Sequence, residues 1–334
     1  MKVVELSKFS LDAFRVVERQ EPKPGYGQVQ VKVRACSLNY RDLLMATGTY
    51  DPRIPLPMVP LSDGAGEVTE MGPGATRFKV GDSVAACFMP GWIEGKLTPA
   101  KSATALGASK GGMLADYVVL PEEGLVAIPD HLSFEQAATL PCAAVTAWNA
   151  LIAQGGLKAG DSVLLQGTGG VSLFALQFAK ITGARILLTS SSDEKLARAL
   201  KLGASDGINY RTTPDWDKRV RELTNGNGVD HVVEVGGAGT LPKSFKAVAT
   251  GGLISLIGVL TGGGEVNPMP LLMKGVTMRG IYVGSRAMFE AMNRAIGLHK
   301  LEPVIDRVFN FDQISEALQY LKSGAHFGKI VMRV

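Results

Sequence analysis

The stretch from Ser162 to Val283 alternates apolar and amphipathic segments, and this alternation limits the fold more than any other feature of the 334-residue chain. Runs of β-branched and other apolar residues predict six strands, and helical spacing predicts four helices between them. The predicted strands are Ser162–Gln166, Arg185–Thr189, Gly207–Tyr210, His231–Val235, Gly252–Ile257 and Val276–Val283. The predicted helices are Val171–Ile181, Asp193–Leu202, Asp215–Leu223 and Thr240–Ala249. Parallel strands connected by crossover helices form a doubly wound sheet, which gives an α/β fold.

The first 128 residues have a different pattern and predict a β-rich domain. Short β-branched runs are bounded there by Pro, Gly and Asp turns, as in Val29–Val33, Gly66–Met71, Ser83–Phe88 and Tyr117–Leu120. After Val283 the chain continues into a helix-containing tail. The length is sufficient for two domains of ordinary size.

Charge and cysteine content exclude several classes of protein. The 35 basic and 31 acidic residues are interspersed, so no basic patch predicts a nucleic-acid partner. Cys36, Cys87 and Cys142 are widely separated, which argues against a disulfide framework and suits a reducing compartment. No signal peptide is evident at the start. We interpret the uncharged stretch Gln136–Leu157 as a buried helix, since Pro141 and several small residues interrupt it. We therefore expect a cytoplasmic protein without a membrane partner.

A glycine-rich segment directly follows the first predicted strand of the parallel sheet. Gly167-Thr168-Gly169-Gly170-Val171-Ser172 departs by one residue from the G-x-G-x-x-G/A fingerprint of dinucleotide-binding turns. Gly167 would permit the tight turn, and Gly169 would let the backbone approach a pyrophosphate at the helix N-terminus. A packing turn is the alternative, but the βα context favours dinucleotide binding.

The end of the second predicted strand bears on the choice of cofactor. An NAD site usually has Asp or Glu there, whereas this chain has Ser190, Ser191 and Ser192, with Asp193 as a helix N-cap. The hydroxyl groups and Lys195 could hold a 2′-phosphate, which favours NADPH and leaves NADH possible. Alternatively, the serines cap the next helix.

Several motifs in order along the chain resemble those of one superfamily. They are Asn39-Tyr40-Arg41-Asp42, Phe78–Val84, Ala138–Cys142, Gly167–Ser172 and Phe327–Val331. The chain resembles the medium-chain dehydrogenases/reductases, which include zinc alcohol dehydrogenases and quinone reductases. The resemblance implies a GroES-like β-barrel catalytic domain, residues 1–128 and 285–334, and a Rossmann domain, residues 129–284.

The chain departs from the zinc members of that superfamily at the metal ligands. Asn39 stands in place of a cysteine, and Ser62-Asp63 in place of His-Glu; Cys142 alone keeps a ligand type. The segment Pro99–Gly112, where zinc members have four structural cysteines, has none. One thiolate cannot supply three protein ligands, so we expect no zinc.

The zinc-free branches reduce quinones or conjugated carbonyl compounds, so the resemblance implies an NADPH-dependent reductase of a small carbonyl or quinone substrate. Two alternatives remain. The first is an NAD(P)-dependent alcohol dehydrogenase acting on alcohols or aldehydes, and the second is an NADPH-binding structural or nucleic-acid-binding protein.

The resemblance also implies roles for individual residues. Tyr50 corresponds to a proposed proton donor, with its ring packed on the core as the alternative, and Tyr40 is a second phenol nearby. Asn39 resembles an asparagine facing the nicotinamide and could equally be a turn residue.

Further cofactor contacts are implied outside the glycine turn. Thr146 would touch the nicotinamide, Tyr210 would stack on adenine, and Gly258 and Val259 would border the nicotinamide. Lys329 would reach the pyrophosphate, or else be solvated. For Thr146 and Tyr210 the alternatives are a backbone hydrogen bond and packing on the sheet.

The last predicted strand, residues 276–283, favours a homodimer. Relatives pair through this strand, which lies at the end of the strand order. Two such edges related by a two-fold axis would form one twelve-stranded sheet.

Overall fold

The computed structural model describes residues 1–108, 110–258 and 260–334, which form two compact units. One consists of Met1–Val145 with Gly284–Val334, and the other of Thr146–Val283. The first boundary between the units therefore follows Val145, whereas the boundary expected from the sequence followed residue 128. The reason is packing: helix Phe134–Ala137 and the π-helical turn Leu140–Ala144 contact the strands of the first unit.

The first unit is dominated by a seven-stranded sheet. The strands of this sheet are β3 Gln28–Ser37, β4 Asp63–Met71, β5 Ser83–Ala86, β6 Tyr117–Pro121, β7 Leu125–Ala127, β14 Ile305–Asn310 and β15 Lys329–Arg333. A separate two-stranded sheet consists of β1 Lys2–Leu6 and β2 Phe14–Glu18. The helices are α1 Tyr40–Ala46, α2 Pro99–Ser102, α3 Phe134–Ala137, α10 Arg286–His299 and α11 Ile314–Ser323. The sheet has the order β14-β15-β3-β4-β5-β7, and β6 also pairs with β3.

β15 lies inside this sheet, between the edge strand β14 and β3. β15 runs parallel to β14 on one side and antiparallel to β3 on the other. The N–H of Leu38 donates to the carbonyl of Ile330 at 3.0 Å, so the pairing continues beyond the end of β3. Val31, Val33 and Ile330 are buried in the apolar core that forms against this sheet. The residues that follow β3 are therefore held against the start of β15.

The second unit is a six-stranded parallel sheet with helices between its strands. The strands are β8 Ser162–Gln166, β9 Arg185–Ser190, β10 Asp206–Asn209, β11 Val229–Glu234, β12 Val248–Leu256 and β13 Thr277–Gly280. The helices are α5 Gly170–Thr182, α6 Asp193–Leu202, α7 Trp216–Leu223, α8 Leu241–Ala247 and α9 Met269–Lys274. Helix α4, Val145–Trp148, and a π-helical turn, Asn149–Ala153, precede β8. The strand order β10-β9-β8-β11-β12-β13 confirms the doubly wound sheet predicted from the sequence.

The prediction of a buried helix over Gln136–Leu157 is confirmed in part. The segment is helical only to Ala153 and is divided into short α-helical and π-helical turns around Pro141. Ala144, Ala147 and Leu151 are fully buried. Within the described ranges, no helix is long and apolar enough to cross a membrane.

Candidate functional site

The turn after β8 has the geometry that a bound phosphate requires. Gly167 has a φ of 72°, a left-handed conformation that glycine adopts without strain. Helix α5 begins at Gly170, followed by Val171, so the free N–H groups of its first turn lie beside buried Thr168. A Cβ added at Gly169 would meet no described atom within 4 Å. Packing does not require glycine at position 169, whereas close approach of a ligand phosphate does.

A buried carboxylate connects this turn to the end of the neighbouring strand. Glu234, the last residue of β11, is fully buried. Five groups donate hydrogen bonds to it: Gly236 N at 2.8 Å, Gly237 N at 3.0 Å, Thr240 Oγ1 at 2.6 Å, Gln166 Nε2 at 2.7 Å and Ser244 Oγ at 2.5 Å. This network was not predicted from the sequence. The one feature of the sequence that pointed to it was an acidic residue at the end of an apolar strand. The donors come from separate segments, so their meeting at Glu234 could not be predicted.

The second strand of the sheet ends in serine residues. Ser190 is the last residue of β9 and is buried; its Oγ accepts from the N–H of Ser192 at 3.4 Å, and Ser191 lies between them. Ser192 caps α6, because its Oγ accepts from the N–H of Lys195 at 3.3 Å. Asp193, predicted as the N-cap, is instead the first residue of the helix. The binding of a 2′-phosphate by these residues remains a prediction.

The other predicted cofactor contacts in this unit lie at strand ends or in the entering helix. Tyr210 follows β10 with its side chain 43% exposed, which leaves it accessible to a ligand. Gly258 follows β12, where a Cβ would lie 1.9 Å from the carbonyl oxygen of Val235, so only glycine fits. Thr146 is buried in α4. Val259 lies outside the described residues.

In the first unit, the positions that correspond to zinc ligands by the resemblance lie in one polar cluster, in which every member but the partly exposed Cys142 is buried. The polar cluster consists of Asn39, Asp42, Ser62, Asp63, Cys142 and Lys329. Asp63 accepts from Ser62 Oγ at 2.8 Å through Oδ1, and from Cys142 N at 3.1 Å through Oδ2. Asn39 Oδ1 accepts from Lys329 Nζ at 2.7 Å. The loop after β3, the start of β4, the turn 140–144 and the start of β15 therefore meet at one place.

The ammonium group of Lys329 provides positive charge within the polar cluster. Lys329 is 3% exposed, and its Nζ donates to the carbonyl of Leu38 as well as to Asn39. Burial lowers the pKa of Lys329, and the nearby Asp63 charge opposes that shift. Burial raises the pKa of Asp63, and Lys329 opposes it. The ammonium is thus bonded within this unit, which differs from the pyrophosphate contact that the resemblance implied.

Two atoms of the polar cluster are left without a partner at the start of α1. The N–H of Asn39 donates to Asp42 Oδ2 at 2.7 Å. Asn39 Nδ2 and Asp42 Oδ1 are buried, and neither finds a hydrogen-bond partner among the described residues. Burial raises the pKa of Asp42 to about 6, opposed chiefly by the charge of Arg41.

The two candidate tyrosines lie near the same helix. Tyr40 is the first residue of α1 and is 40% exposed. Tyr50 is similarly exposed, and the guanidinium of Arg41 lies 5.2 Å from the centre of its ring. Arg41 also donates to the carbonyl of Leu106 at 2.9 Å. The structure thus places Tyr50 against a fixed cation rather than wholly within the apolar core.

Together, the two units and the glycine turn define a nicotinamide-dependent oxidoreductase with GroES-like and Rossmann-type domains. Residues 25–130 match the family described as alcohol dehydrogenase GroES-like domain, and residues 170–297 match that described as zinc-binding dehydrogenase. The chain belongs to the medium-chain dehydrogenase/reductase superfamily.

Both alcohol dehydrogenase-like proteins and quinone oxidoreductases are similar to nearly the whole chain. A zinc-type alcohol dehydrogenase-like protein of Schizosaccharomyces pombe is 45% identical, covering 99% of this chain and 97% of its own. The quinone oxidoreductase of Homo sapiens is 30% identical, with 93% and 90% covered. The crystal structure of a putative alcohol dehydrogenase from Sinorhizobium meliloti 1021 is 44% identical with a TM-score of 0.92, covering 99% and 98%. A mycobacterial structure in complex with NADPH is 26% identical with a TM-score of 0.85, and both chains are fully covered.

The residues of the polar cluster do not fit the zinc ion that the family description implies. Both carboxylate oxygens of Asp63 already accept hydrogen bonds, and Asn39 Oδ1 is bonded to a cation. Burial raises the pKa of the Cys142 thiol, which disfavours the thiolate that zinc requires. Within residues 1–108, 110–258 and 260–334, no three His, Cys, Asp or Glu side chains are grouped to hold a metal. The glycine turn, in contrast, fits a dinucleotide.

Proposed function

We propose that the protein is a zinc-independent reductase that uses NADPH to reduce quinones or α,β-unsaturated carbonyl compounds. The observation that carries the proposal is the donor set of the polar cluster, in which the ammonium of Lys329 is bonded to Asn39. A catalytic zinc site requires three protein ligands, and a lysine ammonium beside them would repel the metal.

The chemistry of the substrate follows from that donor set. Oxidation of an ordinary alcohol benefits from a Lewis acid at its oxygen, which these side chains are poorly suited to hold. A conjugated carbonyl compound is already electron-poor, so hydrogen-bond donors at its oxygen are sufficient to stabilise the developing charge. Bound at the glycine turn, the reduced nicotinamide would supply the hydride. Tyr50, Tyr40 and Asn39 are the proposed donors to the substrate.

NADPH is the proposed cofactor because the end of β9 carries hydroxyl groups and no carboxylate. Ser190 and Ser191 lie where an acidic residue would repel a 2′-phosphate, and Lys195 lies in the first turn of α6. The mycobacterial neighbour solved with NADPH supports the same choice.

An alcohol dehydrogenase is the second candidate, since several similar proteins carry that name. The deciding experiment measures the metal content of the protein as purified, and then assays NADPH oxidation with a quinone and an enone before and after treatment with a chelator. We expect less than 0.1 zinc per chain and full reductase activity. Stoichiometric zinc, together with NAD-dependent oxidation of primary alcohols that the chelator abolishes, would favour the second candidate.

A homodimer remains part of the proposal. β13 is an edge strand, and Met278 on it is 40% exposed. On α9, which directly precedes it, Leu272 and Met273 are each 75% exposed. An apolar face beside an unpaired strand edge is suited to pairing with a second copy of this chain.

A further inference from the structure

The contact between Lys329 and Asn39 fixes the orientation of a side-chain amide. The ammonium of Lys329 has only protons to donate, so the atom of Asn39 that faces it at 2.7 Å must be the amide oxygen. The amide nitrogen, Nδ2, is thereby directed away from Lys329. The orientation of this asparagine follows from its hydrogen bond.

The amide nitrogen is a donor that the protein leaves unused. Asn39 is 9% exposed, and Nδ2 is buried with no partner in the part of the chain that the structure describes. Asn39 N donates to Asp42 Oδ2, and both oxygens of Asp63 accept hydrogen bonds from other groups. A buried donor without an acceptor is costly, and it persists where a ligand supplies the acceptor.

The sheet itself holds Lys329 in place. Lys329 is the first residue of β15, whose partner β3 runs antiparallel and ends just before Leu38. The hydrogen bond between Leu38 N and Ile330 O places the start of β15 beside Leu38 and Asn39. Nζ also donates to the carbonyl of Leu38, so the ammonium is fixed at two points.

We propose that Lys329 is a positioning residue that orients Asn39 so that Nδ2 donates a hydrogen bond to the carbonyl oxygen of the substrate. This inference rests on the proposed function and deepens it. The charge of Lys329 also stands beside Asp63, where it opposes the rise in the pKa of that carboxyl group. Asn39 then acts as a donor to the oxygen on which negative charge develops during hydride transfer.

The first test replaces Lys329 by Met, which keeps the length of the side chain and removes the ammonium. We expect kcat for an enone to fall by about 100-fold, the loss typical of one missing oxyanion donor, while the Kd for NADPH stays within twofold. Lys329→Arg should recover part of kcat. A tenfold rise in the NADPH Kd with an unchanged kcat would instead show that Lys329 binds the pyrophosphate, and would overturn the proposal.

The chain offers a matched control at another partly buried lysine. Lys274 Nζ also donates to backbone carbonyls, those of Phe245 and Val248, and burial lowers its pKa. Lys274→Met should lower the melting temperature but keep kcat within twofold. If it lowered kcat as far as Lys329→Met does, a general loss of stability would explain both.

A double-mutant cycle tests whether Lys329 acts through Asn39. Asn39→Ala removes the donor, so adding Lys329→Met should lower kcat by less than threefold further. If the double variant instead lost kcat by the product of the two single reductions, the two residues would act independently, and the proposal would be overturned.

Asn39→Asp covers the case in which Lys329→Met fails to fold. It replaces the amide donor with an acceptor and keeps the contact with Lys329, so the melting temperature should hold while kcat falls by about 100-fold. Retained kcat would overturn the proposal.

Failure of the proposed function has a different signature. Wild-type protein that oxidises NADPH with neither quinones nor enones would overturn that function and the substrate contact with it. In that case the pairing of Lys329 with Asn39 is tested by the melting temperatures of the same two single variants and the double variant. Shifts in melting temperature that simply add would overturn the pairing.

Discussion

Asp42 is a buried acid whose ionisation opposes folding. Its pKa is raised to about 6 from 3.8, so the folded protein holds the proton more tightly than the unfolded chain does. The stability that this proton contributes is present below about pH 4 and is lost as the pH rises through 6, for a total of roughly 3 kcal/mol. We predict that Asp42→Asn removes this decline from the pH dependence of the free energy of unfolding.

Urea denaturation of wild type and Asp42→Asn between pH 4 and pH 7 measures this effect. The free energy of unfolding of wild type should fall relative to that of Asp42→Asn as the pH rises from 4 to 7. Asp12→Asn, at an exposed position, is the control and should keep the wild-type pH dependence. Parallel profiles for wild type and Asp42→Asn would contradict the prediction.

Lys195 is the residue whose removal should most affect the choice between NADPH and NADH. Lys195→Ala should weaken NADPH binding about tenfold, or about 1.4 kcal/mol, because one charge-assisted contact to the 2′-phosphate is lost. NADH, which lacks that phosphate, should bind within twofold of wild type. Fluorescence titration with both cofactors measures this, with Lys201→Ala on the same helix as the control. Equal losses for the two cofactors would rule out a 2′-phosphate contact.

The sequence could identify single residues of the site but not their arrangement. The resemblance marked Asn39, Ser62 and Asp63 as altered ligand positions and Cys142 as a retained one, and the structure brings them into one cluster. It gave no indication that Lys329, 290 residues beyond Asn39, completes that cluster. Contacts between side chains so far apart depend on strand register, which one sequence does not specify.

At the scale of secondary structure, Glu234 is the residue that holds the ends of two strands together. Glu234→Gln would place an amide among five donors, so at least one buried donor would lose its acceptor. We predict a loss of about 2–4 kcal/mol in the free energy of unfolding, together with weaker NADPH binding, because Gln166 precedes the glycine turn. Chemical denaturation and cofactor titration measure the two effects.

The control for that prediction is Glu222→Gln. Glu222 lies on α7, is largely exposed, and pairs only with Arg219 among the described residues, so its loss should cost less than about 1 kcal/mol. If Glu234→Gln proved as mild as this control, the network would not hold the strand ends.

Strands and helices were predicted well where turn residues mark their ends. Ser162–Gln166 and Asp193–Leu202 match the structure, since a Gly-Asp turn precedes the strand and Gly203 follows the helix. The last strand was predicted too long: it spans Thr277–Gly280, not residues 276–283. The apolar run continues to Val283 because Ile281 and Val283 are buried outside the strand, which hydrophobicity alone does not distinguish from pairing.

At the scale of the whole molecule, the edge at β13 predicts how two copies associate. The test position is Met278, which lies within β13 and is exposed. Met278→Lys should weaken the homodimer at least tenfold, since pairing of the edges would bury a charge. Light scattering at micromolar concentration should give twice the 35.3 kDa of one chain for wild type and a lower mass for the variant.

Val16→Lys is the control for association. Val16 is also an apolar strand residue and is 45% exposed, but it lies on β2 in the other unit, so this variant should remain dimeric. A wild-type protein of about 35 kDa at every concentration would contradict the proposed homodimer.

The position of β15 between β14 and β3 has a consequence for the order in which the chain can fold during synthesis. Residues 146–283 are contiguous and carry all six strands of the parallel sheet, so this unit is complete before β14 and β15 have been made. The sheet of the other unit needs β15 between β14 and β3, so it stays open until β15 has been synthesised. Until then the end of β3 that pairs with β15, residues 35–37, has an unpaired edge, where a chaperone or a second nascent chain can bind before the polar cluster exists.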